Sequence, residues 1–344
     1  MNITVASIIS LVIGFAVTAL LGYVLIPVLH KLKFGQTILV DIGPKWHAKK
    51  QGTPTMGGIM FIIGTILAAV VTYLICKLTG SSAFSVAEEF RAIEYTEIFG
   101  GILLAVLFAL VGFADDYIKV VKKRNLGLTE IQKTIPQLVI AVVYLACYYR
   151  VNGSSMYVPF VGDVDLHFFY WIFGVCVIYG AINAVNFTDG IDGLCGSVTL
   201  VTAVAFTVAA ILYKTASVSI LAAALAGACA GYLIWNHYPA KVMMGDTGSM
   251  FLGGLVVALA YAINMPIILL LFGFIYVVEA MSDVIQIGSI KIRHKKVFKM
   301  APIHHHFEMC GWNEVKIVRI FTLVNAIACA IGMVLIYFGD NRIM

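Results

Sequence analysis

Charge is what this sequence has least of. Charged residues fill 12% of its 344 positions and hydrophobic ones 61%, against roughly 25% and 45–50% in ordinary soluble domains. So few polar groups cannot cover a globular surface, which excludes a soluble fold. Long polar tracts are missing, and Gly (31) and Pro (8) are ordinary in number, which excludes disordered and collagen-like chains. The seven cysteines include no CxxC pair. Scattered mostly inside apolar runs, they read as small buried apolar residues, not as a disulfide scaffold. Neither GxxxxGK followed by Ser or Thr nor GxGxxG occurs, against a nucleotide-hydrolysing motor or a dinucleotide enzyme. No basic residue precedes the first apolar run and no small-residue cleavage site follows a short apolar core, so that run is expected to persist as a helix.

What the chain does have is uncharged runs, such as Met1 to Leu29, Gly57 to Cys76, Gly193 to Tyr213, Thr215 to Asn236 and Ile320 to Gly339. Each reaches the roughly 20 residues that cross about 30 Å of hydrocarbon as helix. The expected architecture is a single all-α domain over 1–344, a polytopic membrane protein embedded in the lipid bilayer. Ten spans are expected, near 4–29, 57–78, 98–113, 134–149, 167–183, 195–213, 216–235, 249–262, 267–289 and 319–338. The stretch from Ser249 to Ser289 is about 60 Å long as one helix, roughly twice the hydrocarbon thickness. Two spans with a turn near Asn264 to Pro266 therefore fit better. With ten spans, 18 of the 23 Lys and Arg lie on one side, and by the positive-inside rule that side is cytoplasmic and both termini face out.

The acids sharpen the picture. Seven of the ten aspartates (Asp41, Asp115, Asp116, Asp189, Asp192, Asp246 and Asp283) fall on that same side, close to helix ends. Any one of them reads equally well as part of a solvated, salt-bridged face. As a set, grouped as DD, DGID and GD in short Gly-rich connections, they bring several carboxylates to the membrane boundary, where unpaired charge is costly. A hard cation relieves the repulsion, and oxygen-rich sites suit Mg²⁺, which takes one or two carboxylates plus substrate phosphates. Lys49, Lys50, Lys119, Lys122, Lys123 and Lys133 add positive charge for a polyanion. The combination points to phosphate chemistry at a membrane surface.

Five segments carry a resemblance: KKQGTPTMGG at Lys49 to Gly58, FADDYIK at Phe113 to Lys119, NAVNFTDGIDGL at Asn183 to Leu194, NHYPAKVMMGDTGS at Asn236 to Ser249, and APIHHHFE at Ala301 to Glu308. In this order they resemble the polyprenyl-phosphate phospho-sugar-1-phosphate transferases. The first four are shared broadly across that family, and the triple histidine points to its muramoyl-pentapeptide branch. The resemblance implies transfer of phospho-MurNAc-pentapeptide from UDP-MurNAc-pentapeptide to undecaprenyl phosphate in the bacterial inner membrane, giving lipid I and UMP, with Mg²⁺ as cofactor. It implies catalytic roles for Asp115, Asp116, Asp246, His304, His305 and His306, with Asp246 as the metal ligand. Lys50, Thr55, Asn186, Asp189, Asp192 and Asn236 are implied to form a uridine and ribose pocket. Lys119, Lys123, Lys133, Asn183, Met243 and Gly245 complete the expected substrate-binding set. Met243 stands where relatives often carry Phe, and its sulfur can still contact a ring.

A second pKa near 6 makes a phosphate monoester mostly dianionic at neutral pH, so a one-step attack is expected, with Asp115 positioning or deprotonating the lipid phosphate. The bland alternative pairs Asp115 with Lys119 four residues on. Adjacent helical residues diverge by about 100°, so three successive histidines cannot share a helical face, and a loop is expected there. Glu279, Asp283 and Gln286 share one face of the ninth span, read as inward packing more than as a proton relay. The basic segment Lys291 to Lys299 suits anionic lipid or the substrate peptide. A secondary transporter is the competing class, and it predicts midplane polar groups and half-chain symmetry that the sequence does not display. A sibling enzyme using UDP-GlcNAc is the competing substrate reading. The apolar outer faces are compatible with a homodimer, and no nucleic-acid partner is expected.

Overall fold

In hydrocarbon each backbone N–H needs a partner within its own segment, and the uncharged runs accordingly form helices. The computed structural model describes residues 1–32, 50, 52–80, 96–121 and 127–342. Its helices are α1 (Ile3–Lys31), α2 (Gly58–Leu78), α3 (Gly101–Val121, led in by a π turn Thr96–Gly100), α4 (Glu130–Asn152), α5 (Phe169–Thr188), α6 (Leu194–Leu212), α7 (Ala216–Asn236), α8 (Gly245–Ala262), α9 (Leu269–Phe272), α10 (Phe274–Arg293), α11 (Ile303–Met309) and α12 (Glu314–Gly339). Nine helices among the described residues are long and apolar enough to cross a membrane, or ten spans with the bent pair Pro266–Phe272 and Phe274–Arg293 counted as one. The chain is thus a polytopic, nearly all-α membrane protein.

The Ala-rich α7 and the Gly-rich start of α8 are buried along most of their length, and the other helices pack around them. The hydroxyl of Ser10 donates to the carbonyl of Ile220 at 2.9 Å, and the indole N–H of Trp235 donates to that of Ala19 at 3.0 Å. These contacts make α1 parallel to α7. The start of α1 therefore lies at the end of the bundle where Tyr213 donates to Asp340 (2.5 Å) and the Arg342 guanidinium stacks 4.0 Å from the Tyr157 ring centre. Both described ends of the chain share this end of the bundle, and Asp115, Asp116, Asp189, Asp192 and Asp246 gather at the other.

Several boundaries differ from expectation. The third span was expected to stop at 113, but α3 carries Asp115 and Asp116 inside the helix, because both side chains are buried against partners. The fourth helix begins at Glu130, set by a capping box in which Thr129 and Gln132 exchange side-chain and backbone bonds. The connection after it forms a small antiparallel hairpin, β1 (Ser155–Val158) with β2 (Gly162–Asp165), the one departure from all-α among the described elements. Three cysteines, Cys147, Cys176 and Cys310, are exposed, against the expected burial; Cys76, Cys195, Cys229 and Cys329 are buried.

The expected turn near Asn264 to Pro266 is present, but the next span is not one helix. It breaks at Gly273 with an 88° bend between α9 and α10. A break in hydrocarbon leaves backbone groups to satisfy, and Asn325 of α12 does this from the side. Its amide oxygen accepts the Ile275 N–H at 3.2 Å while its NH₂ donates to the Phe272 carbonyl at 3.2 Å. Thr202 adds a hydroxyl bond of 2.6 Å to that carbonyl.

Candidate active site

The carboxylates meet where the end of α3 crosses the start of α8. Asp116 is a cap: Oδ1 accepts the Asp246 N–H (3.2 Å) and Oδ2 accepts both the N–H (2.9 Å) and the hydroxyl (2.6 Å) of Thr247. It satisfies orphan amides and complements the helix dipole at the N-terminus of α8. Gly245 makes the fit possible, since its φ of +69° is open to glycine and a Cβ there would stand 2.6 Å from Asp116 Oδ2 and 2.8 Å from Thr55 Oγ1.

This cap aims Asp246 at Asp115. Asp246 Oδ2 accepts from Lys133 at 2.6 Å and Lys119 at 3.1 Å, and Oδ1 accepts from Asn186 at 3.0 Å. Asp115 Oδ2 pairs with Lys119 at 2.5 Å and lies 3.6 Å from Lys133, while Oδ1 accepts the Leu128 N–H at 2.8 Å. The Asp115–Lys119 pair of the alternative reading is therefore present, but Lys119 is shared with Asp246, so the pair belongs to the same cluster. One oxygen from each of Asp115, Asp116 and Asp246 falls within 4.8 Å of the others. Three carboxylates against two ammoniums, with oxygen as the only donor atom among the acids, suit a hard divalent cation.

A second cluster faces it. Lys50 Nζ lies 2.7 Å from Asp192 Oδ1 and 2.6 Å from Glu314 Oε2. Asp192 also accepts the Ala240 N–H at 2.9 Å and donates its own N–H to Glu314 at 3.0 Å. Asn236 spends both ends of its amide on backbone, accepting the Gly193 N–H at 3.1 Å and donating to the Val242 carbonyl at 2.9 Å, with Met243 Sδ at 3.9 Å. Asp189 sits between the two clusters. Burial, then the facing carboxylates of Asp246, Asp116 and Asp192, push its carboxyl well above the usual range, with Lys50 opposing.

The histidines lie on a short helix, α11, not on the expected loop, and the rings of His304 and His305 pack together with their centres 4.1 Å apart. His304 pairs through Nδ1 with Glu279 (3.0 Å), His305 with Glu308 (2.6 Å), and His306 accepts the Lys299 N–H at 3.1 Å. Each ring thus has its own partner. His304 packs against the loop between Asp189 and Asp192, at Gly190. Asn183 stands at the margin, bonded to Gln137 at 3.2 Å and to the Tyr179 carbonyl at 2.8 Å.

Thus Asp115, Asp116, Asp246, Lys119, Lys133, Asn186, Thr55 and Gly245 form one constellation, and Lys50, Asp192, Asn236 and Met243 form its neighbour. Lys123, with Lys33, Asp41, Lys45, Lys49, Lys122 and Arg124, lies outside the described residues. Glu314 and Glu279 were not anticipated as site residues. Glu314 stands in the first turn of α12, where an acid reads as a dipole partner, and no spacing in the sequence connects it to Lys50.

Residues 98–264 match the family described as glycosyl transferase family 4, and residues 50–62 match a phospho-N-acetylmuramoyl-pentapeptide-transferase signature. Curated relatives of that second name align along nearly the whole chain. One from Acetivibrio thermocellus is 44% identical, covering 93% of this chain and 92% of its own. One from Clostridium botulinum is 42% identical, covering 97% of each. A Clostridium perfringens relative is 42% identical over 94% of each.

Proposed function

The chain belongs to the phospho-N-acetylmuramoyl-pentapeptide-transferase family, and from that premise we propose that it is the multi-pass inner-membrane enzyme that moves phospho-MurNAc-pentapeptide from UDP-MurNAc-pentapeptide onto undecaprenyl phosphate. The products are lipid I, for peptidoglycan synthesis, and UMP. The observation that carries this reading is the convergence of Asp115 and Asp246 on Lys119 and Lys133, with Asp189, Asp192 and Lys50 forming the adjacent wall. By the distribution of Lys and Arg this end of the bundle faces the cytoplasm.

An oxygen of the lipid phosphate attacks the sugar-bearing phosphorus of the donor, the bond from that phosphorus to the bridging oxygen breaks, and UMP leaves with the electron pair. Little covalent chemistry is asked of the protein; positioning and charge neutralisation dominate. Lys119 and Lys133, free to turn from carboxylate to phosphate, offset charge on the diphosphate. Asp115 orients the lipid phosphate and takes its residual proton. Asp116 acts one step back, holding the first turn of α8 so that Asp246 points into the site. Asp246, with Asp115 beside it, would hold Mg²⁺, which when bound would supply Lewis-acid neutralisation of the phosphates. Asp189, whose carboxyl is raised by burial and by the facing carboxylates, lines the donor side, and Asn186 can meet a hydroxyl or a base edge.

The test is UMP release by the purified chain with undecaprenyl phosphate and competing UDP-sugars. Release with UDP-MurNAc-pentapeptide alone supports the reading, and release with UDP-GlcNAc alone replaces it with the sibling activity.

A further inference from the structure

Beyond the carboxylate cluster the molecule buries an acid that the reaction above leaves unused. Glu279, on α10, is 0% exposed, and its Oε2 lies 3.0 Å from Nδ1 of His304, also 0% exposed. The same oxygen faces the backbone N–H of His304 at 3.5 Å. The far ring nitrogen, Nε2, is buried without a hydrogen-bond partner among the described residues, as is Glu279 Oε1. Nε2 points at the loop between Asp189 and Asp192, where a Cβ on Gly190 would stand 2.1 Å from it.

A buried polar atom without a partner is costly, and two on one hydrogen-bonded pair mark a group kept for something that the bare protein does not supply. An ionised carboxylate can only accept. Beside Nδ1 it selects the tautomer with the proton on Nδ1 and leaves Nε2 as a lone pair turned toward the loop, the second-site control by which a carboxylate usually sets an imidazole. The 88° break at Gly273 redirects α10, the element that carries this acid. Gly190 completes the arrangement, because any side chain there would displace the ring.

We propose that Glu279 is a positioning residue for the transfer reaction, acting through His304 by fixing its ring and its free Nε2 against the Gly190 turn on the donor side of the site. The proposal rests on the transferase reading above and deepens it: His304 faces the donor's phosphate or sugar, and Glu279 decides which nitrogen it presents.

The experiment is a double-substitution cycle on the full-length chain in nanodiscs, reading kcat and KM for UMP release, UMP affinity by calorimetry, and the ¹⁵N shifts of labelled histidine. Glu279→Gln and Glu279→Ala lower kcat by about tenfold or more, the scale of losing an outer partner of a functional histidine, while UMP affinity stays within about twofold. Glu279→Ala combined with His304→Ala falls no further than His304→Ala alone, and Gly190→Ala behaves like His304→Ala. His304 shows a protonated Nδ1 in the wild type and loses that signature in Glu279→Ala. Should the alanine variant not fold, Glu279→Gln carries the cycle and the spectra. Losses that multiply in the double variant, a Glu279→Gln enzyme with unchanged kcat, or a wild-type His304 protonated at Nε2 alone overturns the proposal. A wild type that releases no UMP from any UDP-sugar sinks the transferase reading instead, and the ¹⁵N shifts still decide the positioning of His304.

Discussion

Asp116 Oδ2 receives two bonds from one residue, the N–H and the hydroxyl of Thr247, at 2.9 and 2.6 Å. The pair joins α3 to α8 and fixes the direction of the neighbouring Asp246. Thr247→Val removes the hydroxyl bond alone, and about 1.5–3 kcal/mol for a bond to a charged group is the expected cost, read as a lowered thermal midpoint in detergent with turnover reduced but present. Asp116→Asn sets an NH₂ against backbone N–H donors, so it is expected to lose more stability than Thr247→Val and nearly all UMP release.

Asp115 makes the opposite prediction. Its bonds to Lys119 and to the Leu128 N–H hold the group proposed to meet the lipid phosphate and do not cap a helix. Asp115→Asn should abolish turnover, at least about a thousandfold as for a group needed in the transition state, while calorimetry shows UMP binding little changed. Rapid quenching of the wild type followed by mass spectrometry should find no phosphorylated aspartate. A trapped aspartyl phosphate at Asp115 contradicts the one-step mechanism.

Asp189 predicts a pH dependence. Its raised carboxyl keeps a proton in the folded chain that the unfolded chain releases near pH 4. The stability it contributes is therefore full below about pH 4 and is lost as pH rises through the folded value. In chelator, the thermal midpoint of Asp189→Asn should exceed that of the wild type by a margin that grows with pH. A constant or shrinking margin contradicts the burial and carboxylate crowding described around it.

Asn325 tests the broken span. Asn325→Leu leaves the Ile275 N–H without its partner and the Phe272 carbonyl one bond poorer, at a cost of about 1–3 kcal/mol. The expected result is a lower thermal midpoint with the far-end contacts of Arg342 unaffected, checked by hydrogen exchange across 269–280.

Much of this was legible in the sequence, because hydrocarbon thickness and backbone satisfaction leave few choices for an uncharged run. The turn at Asn264 to Pro266 followed from length alone. The bend at Gly273 did not, since it depends on Asn325 arriving from a helix some 50 residues later. The DD and GD motifs announced a charged site, but they could not say that Asp116 faces backbone while Asp115 faces lysines; both look alike until α8 is docked. Periodicity spoke against one face for the three histidines and so suggested a loop, whereas the seven-residue α11 holds them on a helix with a separate partner for each ring. Glu279 and Glu314 were invisible as site residues because their partners, His304 and Lys50, lie 25 and 264 positions away.

The central claim is that Asp246 and Asp115 hold one divalent ion where the donor diphosphate binds. Mn²⁺ titration followed by electron paramagnetic resonance, with UMP present, tests it directly. The expected result is one tightly bound ion per chain in the wild type and none in a folded Asp246→Asn variant. An Asp246→Asn chain that binds the ion as well as the wild type contradicts the assignment.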